Sequence, residues 1–530
     1  MLTHLAKGSA GAGIAALLGG RRQLGSRILA LGAAPAPETT YPSPGPPTSS
    51  PEMASSSPEM ASSLPELAAV PSITSHAGTQ VFRSRPDLHP PVITVDTSSD
   101  RLAAGLVLTD AHYGPANQGP MIISGSGDLV WFLDLSPGSD TGLRAFNFQV
   151  QSFKGKPVLT WFQGAVVNGH GVGHYELWDS TYTKVAEIQA TNGYQADLHD
   201  FVLTDKGTAL FTCYGQASAN LKQFGGKEDG TYAYGVVQEV DVSTGDLLFE
   251  WRSNDHVTLQ ESYQKITSTT VPWDYFHVNS IDVDPTDGNF IISGRNTWTI
   301  YKVDRTSGEV LWRLGGKATE FELAADAHFA FQHDVRRYPD GSVSMFDNEG
   351  GPPNEASQSR GLLLSVDEKS RKAGLLRAYY HSPPVLSEAL GSVQELSDGH
   401  TFIGWGESSY FTEYDATGKL LFDGHLTKLT ESYRAFKQVW TGQPVAERPA
   451  LAIVRGSTTA TLYASFNGCT ELTGWIVLGG PTPDRLTALG HATSLGFETA
   501  VTVHAPPAYF AVQAMSSTGQ VLARSEPGPG

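Results

Sequence analysis

Trp273-Asp-Tyr-Phe-His277-Val-Asn-Ser-Ile-Asp-Val-Asp-Pro-Thr-Asp-Gly288-Asn-Phe-Ile-Ile-Ser-Gly-Arg295 reads as strand, turn, strand. An aromatic run ends in His277, Asp-Pro-Thr-Asp-Gly supplies the turn, and Phe290, Ile291 and Ile292 lead back to Arg295. A hairpin folds its ends together, so His277 and Arg295 are expected to face one place. An imidazole beside a guanidinium suits an oxyanion such as sulfate or phosphate, because the arginine fork matches its oxygens. From this hairpin alone, the competing reading is a surface hairpin with two unrelated polar ends.

The same turn chemistry recurs along the chain. Asp-Gly or Asp-x-Gly followed by an apolar run occurs at Gly207, Gly288, Gly341 and Gly399. Thr/Ser-Gly followed by a charged residue and an apolar, aromatic run occurs at Gly245, Gly308 and Gly418. Two hairpins per unit, repeated every ~50–80 residues, is the pattern of a four-stranded propeller blade, and roughly 360 residues at that spacing suit about six blades.

Histidines sit in register with these turns. His199 lies eight residues before Gly207, His333 eight before Gly341, and His277 eleven before Gly288 across a longer turn. The Gly399 unit has Gly391-Ser-Val there, so the fold does not require histidine at that place. First strands line a propeller's channel, so the three imidazoles are expected to converge near one mouth. Three histidines invite a metal. A guanidinium in the cluster disfavours a dication beside it, which ranks an oxyanion site above the metal. Scattered polar channel residues are the remaining reading.

Composition narrows the classes. With 530 residues the chain is long enough for about two to four domains. Lys+Arg is 36 and Asp+Glu 54, a net charge of −18, which argues against a nucleic-acid partner. Cys213 and Cys469 are too few for a disulfide framework; whether they pair is not legible. No apolar run approaches the ~18 residues that span a membrane. The first acidic residue is Glu38, and the basic, Ala/Gly-rich start before it resembles a targeting peptide, secretory or organellar. Pro51-Glu-Met-Ala, Pro58-Glu-Met-Ala and Pro65-Glu-Leu-Ala repeat every seven residues, and a proline in each copy excludes a coiled coil. Residues 1–78 are therefore read as a targeting-like and disordered segment, 79–445 as the propeller, and 446–530 as a separate module. In that module, runs such as Ala460-Thr-Leu-Tyr-Ala-Ser-Phe and Gly474-Trp-Ile-Val-Leu suit a small β-sandwich of immunoglobulin or fibronectin type III kind, with Trp475 in its core. The fold class expected is all-β.

The propeller segment resembles the arylsulfotransferase family, in its fungal and actinobacterial branch. The matching words are Gln195-Ala-Asp-Leu-His199-Asp-Phe, Val237-Gln-Glu-Val240, Phe249-Glu-Trp-Arg, Asp274-Tyr-Phe-His277-Val-Asn-Ser-Ile, Ser293-Gly-Arg295, Trp312-Arg-Leu-Gly-Gly and Phe331-Gln-His333-Asp. They extend over about residues 90–445. The resemblance implies a six-bladed propeller that moves a sulfuryl group from a phenolic sulfate to another phenol, with no nucleotide sulfate donor. It also implies that His333 becomes transiently sulfated, and that His199, His277 and Arg295 hold the sulfuryl and phenolic oxygens. An imidazole with a pKa of about 6.5 is a fitting nucleophile near neutrality. The partners implied are a small aryl sulfate and a phenol. A non-catalytic binding propeller and an aryl sulfate hydrolase using the same pocket are the alternatives.

No cofactor motif appears: Gly316-Lys317 is followed by Ala318, which removes a P-loop. Asp282, Asp284 and Asp287 read as turn residues rather than calcium ligands. His170 and His174 are spaced i, i+4, but Gly171 and Gly173 argue against a metal-binding helix. Asp200 and Asp334 follow histidines, yet neighbours on a strand point to opposite faces. His256 and Arg434 are read as structural.

Overall fold

Short β-branched and aromatic runs between Gly-containing turns become short antiparallel strands. The computed structural model describes residues 64–72, 74–136, 142–351, 353 and 356–530. The targeting-like start and most of the low-complexity segment lie outside the described residues.

The turn register predicts the sheets closely. Gly207, Gly288, Gly341 and Gly399 each join the first two strands of a four-stranded unit. Gly245, Gly308 and Gly418 join the last two. At Gly207 and Gly245 φ is +77°, where a Cβ would be strained. Val278–Val283, Phe290–Gly294, Thr299–Val303 and Val310–Gly315 form one such unit. A nine-stranded sheet holds two more. Arg144–Phe153 opens one and Ala196–Leu203 opens the other, and the pair Gly173↔Ala196 joins them. The remaining units begin at His333–Arg337, at Ser392–Glu395 and at Ala435–Gln438.

First strands pack in a ring. Arg144–Phe153 touches Ala196–Leu203, followed by Val278–Val283, His333–Arg337, Ser392–Glu395 and Ala435–Gln438, which returns to Arg144–Phe153. The architecture is a β-propeller. Segments from both ends of the propeller span close it. Ile93–Ser98 adds an outer strand to Leu420–Leu426, and Ala435–Gln438 adds an inner strand to Leu106–Tyr113.

Beyond the ring, two antiparallel sheets share a core of Leu462, Trp475, Val477, Val501, Phe510 and Val512. Trp475 is buried there, as its sequence context predicts. The sequence-drawn boundaries need one correction. Residues 64–71 are not a disordered linker: Ala69–Pro71 pairs with Glu498–His504, and Leu67 and Ala69 pack on the C-terminal core. Thr74–His76 and Thr79–Val81 form a hairpin. The third copy of the Pro-Glu-x-Ala repeat thus carries the apolar side chains that an open sheet edge recruits, and its Pro65 stands before the ladder, where it interrupts no strand hydrogen bond.

Asn467 links this sandwich to the ring. Its Oδ1 accepts from the Phe132 N–H (3.0 Å) and its Nδ2 donates to the Phe132 carbonyl (3.1 Å). Leu129–Phe132 is the outer strand of its sheet, so the asparagine satisfies an edge that has no further partner strand among the described residues. Asn467→Ala leaves two buried backbone groups unpaired and is expected to cost about 1–3 kcal/mol. Urea unfolding checks this; an unchanged midpoint would show that the edge is satisfied some other way. Cys213 and Cys469 are both free thiols, the first buried in the core of a propeller sheet.

Candidate active site

Asp274 opens the site. Its Oδ1 accepts from the His277 backbone N–H (3.0 Å), which supports His277 at φ +55°, left-handed backbone that costs a non-glycine residue roughly 1–3 kcal/mol. Phe331 and Asp334, on either side of His333, are left-handed too, at φ +57° and +54°. Register breaks accompany all three histidines. Pairing slips between Ala196 and Phe201, between Val278 and Ser280, and between His333 and Arg336. Such bulges re-aim side chains at the rim of a sheet.

The hairpin brings its ends together as expected: the Arg295 N–H donates to the His277 carbonyl at 2.9 Å. His277 Nε2 lies 3.1 Å from His199 Nε2. Each ring presents its other nitrogen to a carboxylate. His199 Nδ1 is 2.5 Å from Asp197 Oδ1, and His277 Nδ1 is 2.5 Å from Asp274 Oδ2. A carboxylate only accepts, so both Nδ1 atoms carry hydrogen, and the two Nε2 atoms face each other, placed to pass a proton between the rings. Burial pushes His277 down to about 4, against the pull of Asp274. Burial pushes the Asp274 carboxyl upward, but His277 and His170 outweigh it and hold it below the ordinary range.

His333 is buried one unit further round the ring. Its Nδ1 faces Asn348 Oδ1 (2.7 Å) and the Phe331 carbonyl (3.0 Å). Asn348 Nδ2 donates to the Ser387 and Leu390 carbonyls, which fixes the amide's orientation. Nδ1 therefore carries the hydrogen and Nε2 the lone pair, which accepts a long contact from the Leu390 N–H (3.3 Å). Burial, and then the charge of Arg295, pushes this imidazole well below the usual histidine range, so it is neutral. The Arg295 guanidinium lies 4.7 Å over the Phe331 ring and donates to Asn296 Oδ1 (2.9 Å) and the Glu388 carbonyl (2.8 Å). Phe331 and residues 388–390 thus contact both Arg295 and His333.

A cavity of about 470 Å³ opens on His277 and Arg295. Tyr194, Tyr214, Ile266, Val271 and Trp273 contribute its apolar wall, and Lys265 its one cation away from the cluster. That shape and lining suit an aromatic molecule with an anionic end.

Asp200 and Asp334 are not the orienting carboxylates. They belong to a buried charge network beneath the histidines. Arg434 Nη1 donates to Asp200 Oδ1 (2.8 Å) and to Asn147 Oδ1 (3.0 Å), and lies 3.4 Å from Asp334 Oδ1. Arg336 pairs with Asp200 (3.0 Å) and Asp334 (2.8 Å). Burial raises the Asp200 carboxyl, but Arg336 and Arg434 prevail and set it at about 2. The signal for the true partners was local: Asp197 precedes His199 by two residues and Asp274 precedes His277 by three.

Sequence reasoning also missed His170. It stands on a strand, His170–Trp178, and its Nε2 is 2.9 Å from Asp274 Oδ2. Nothing in its Gly-rich context announces this contact across 104 residues. His170, Asp274 and His277 lie close enough together to invite a cation. Each ring nitrogen in question already points at the carboxylate itself, and we assign no metal. Asp284 and Asp287, read as turn residues, enclose Lys302 Nζ at 2.9 and 2.7 Å. His256 stacks on Trp251.

Comparison with known proteins agrees with the sequence words. No curated protein matches the chain. Among solved structures, it is similar to a Bacteroides caccae protein of unknown function (10% identity, TM-score 0.39, covering 63% of this chain and 98% of that one). It is also similar to a catalytically inactive virginiamycin B lyase from Staphylococcus aureus with quinupristin (10% identity, TM-score 0.30, 69% and 97%). A family model described as Arylsulfotransferase (ASST) matches residues 149–427, just over half of the chain, and that span holds His199, His277, Arg295 and His333. This chain belongs to the arylsulfotransferase family.

Proposed function

We propose that the protein transfers a sulfuryl group from an aryl sulfate to a phenol through a sulfated His333, without a nucleotide sulfate donor. The observation that carries this reading is that His277, in contact with His199, and Arg295 both line a cavity with an aromatic wall. This reading takes the ring of first strands as six blades.

In the first half-reaction the His333 Nε2 lone pair attacks sulfur, the S–O bond to the aryl group breaks, and the long contact from Leu390 gives way. Arg295 balances charge on the sulfuryl oxygens. A proton held by the His199–His277 pair passes to the departing phenolate. In the second half the acceptor phenol gives its proton back to that pair as its oxygen attacks sulfur and the N–S bond breaks. Two steps let one pocket serve donor and acceptor in turn.

The test is turnover of 4-nitrophenyl sulfate with phenol and no added nucleotide. Nitrophenolate release that rises with phenol, with phenyl sulfate as second product, is expected. Release independent of phenol, with inorganic sulfate formed, would make the protein a hydrolase. No release from a series of aryl sulfates by folded protein would favour a binding propeller.

A further inference from the structure

We propose that His170 is a positioning residue for the reaction: by holding the outer side of Asp274, it keeps His277 available as a proton acceptor. The inference rests on the sulfuryl-transfer reading for its role, though its structural part stands without it.

The geometry is a continuous chain from the channel to the cavity wall. It runs Asp197, His199, His277, Asp274, His170, with contacts of 2.5, 3.1, 2.5 and 2.9 Å. Asp274 Oδ2 is the shared point, facing both His277 Nδ1 and His170 Nε2. Ring orientation at His170 is fixed independently. It stacks on Tyr214, with centroids 3.7 Å apart and planes at 15°. The Tyr214 hydroxyl in turn donates to the carbonyl of Val278, the residue after His277 (2.8 Å). One stacked pair therefore braces both the carboxylate and the backbone that carry His277.

Charge makes the arrangement consequential. A lone carboxylate against His277 would favour its imidazolium, a poor base for a phenol. A second imidazole on the same oxygen divides that influence. Burial lowers the proton affinity of His170, but the hydrogen bond and charge of Asp274, together with the charge of Asp197, raise it overall, which favours the charged form of His170 beside Asp274. Other groups facing the trio are Asp197 and His199 on Ala196–Leu203, Tyr214 on Thr208–Ala219, and Arg295 after Phe290–Gly294. Glu388 and Glu407 act on Arg295 rather than on the trio directly.

Two variants separate the contributions. His170→Phe keeps an aromatic ring on Tyr214 and removes the hydrogen bond and charge. His170→Gln keeps a donor and removes the charge and the ring that stacks on Tyr214. The sign follows from the trio: with no cation beside it, Asp274 acts on His277 alone, His277 holds its proton to higher pH, and the acid limb of the kcat profile moves upward. A shift of about one pH unit is expected in both variants. A kcat loss of about tenfold at neutral pH is expected for Phe, with partial recovery in Gln. An unmoved acid limb in both folded variants would overturn the inference, as would a rise in KM alone, which would make His170 only cavity wall. NMR titration of the His277 ring in the intact protein reads the same shift without turnover. If wild-type protein fails to process aryl sulfates but that titration moves, the sulfuryl-transfer reading falls and the bracing of His277 survives. If turnover is normal and the titration does not move, the reverse holds.

Discussion

His333→Asn is expected to abolish the proposed sulfuryl transfer: turnover of 4-nitrophenyl sulfate with phenol should fall by ~10³-fold or more, as on removal of a covalent nucleophile. Asparagine suits this test because its amide can donate to Asn348 and Phe331 in place of Nδ1–H, while nothing replaces Nε2. The local fold is retained and the nucleophile is gone. Quenched wild-type protein, exposed to donor without acceptor, should carry an acid-labile sulfuryl group on the peptide containing His333. Turnover within tenfold of wild type in the asparagine variant would end the sulfated-histidine proposal, leaving direct transfer from donor to acceptor between the other three side chains.

The second large effect is on stability. Arg434→Ala removes a fully buried guanidinium that faces Asp200 and Asp334 from the residue just ahead of the strand that closes the ring. Two carboxylates and two guanidiniums are balanced there, and removing one cation leaves a negative charge buried without compensation. The expected loss is ~3–5 kcal/mol. Denaturant unfolding measures it, and a loss below ~1 kcal/mol would show that Arg336 alone neutralises both acids. Activity should fall as well, because Asp200 and Asp334 are the residues after His199 and His333 and fix the backbone that aims them. Arg434→Met with Asp200→Asn, which removes one charge of each sign, should recover part of the stability but not the geometry.

How much was legible differs by level. Turn chemistry was local, so Asp-Gly and Thr/Ser-Gly words located hairpins and their order within each unit. The histidine register was legible for the same reason: a side chain at the start of a first strand stands at a fixed distance from its turn. The orienting acids were within reach too, two and three residues ahead of His199 and His277, but only Asp200 and Asp334, which directly follow histidines, were weighed, and strand alternation set those two aside. Bulges break that alternation at each site. Asn348 and His170 carried no such signal, since their partnerships cross 15 and 104 residues.

By itself, the sequence determined an all-β chain and the repeating hairpins of a propeller, and it put His199, His277 and His333 in one register with Arg295 at the far end of a hairpin. Local backbone preference and residue chemistry are enough for that. Only the tertiary structure decided which carboxylate holds which imidazole, that residues 64–71 complete the C-terminal core, and that Arg434 reaches across the channel to Asp200 over 234 residues. Those pairings are set by how sheets close on one another, where a long-range partner is chosen by burial and charge balance rather than by its neighbours in the chain.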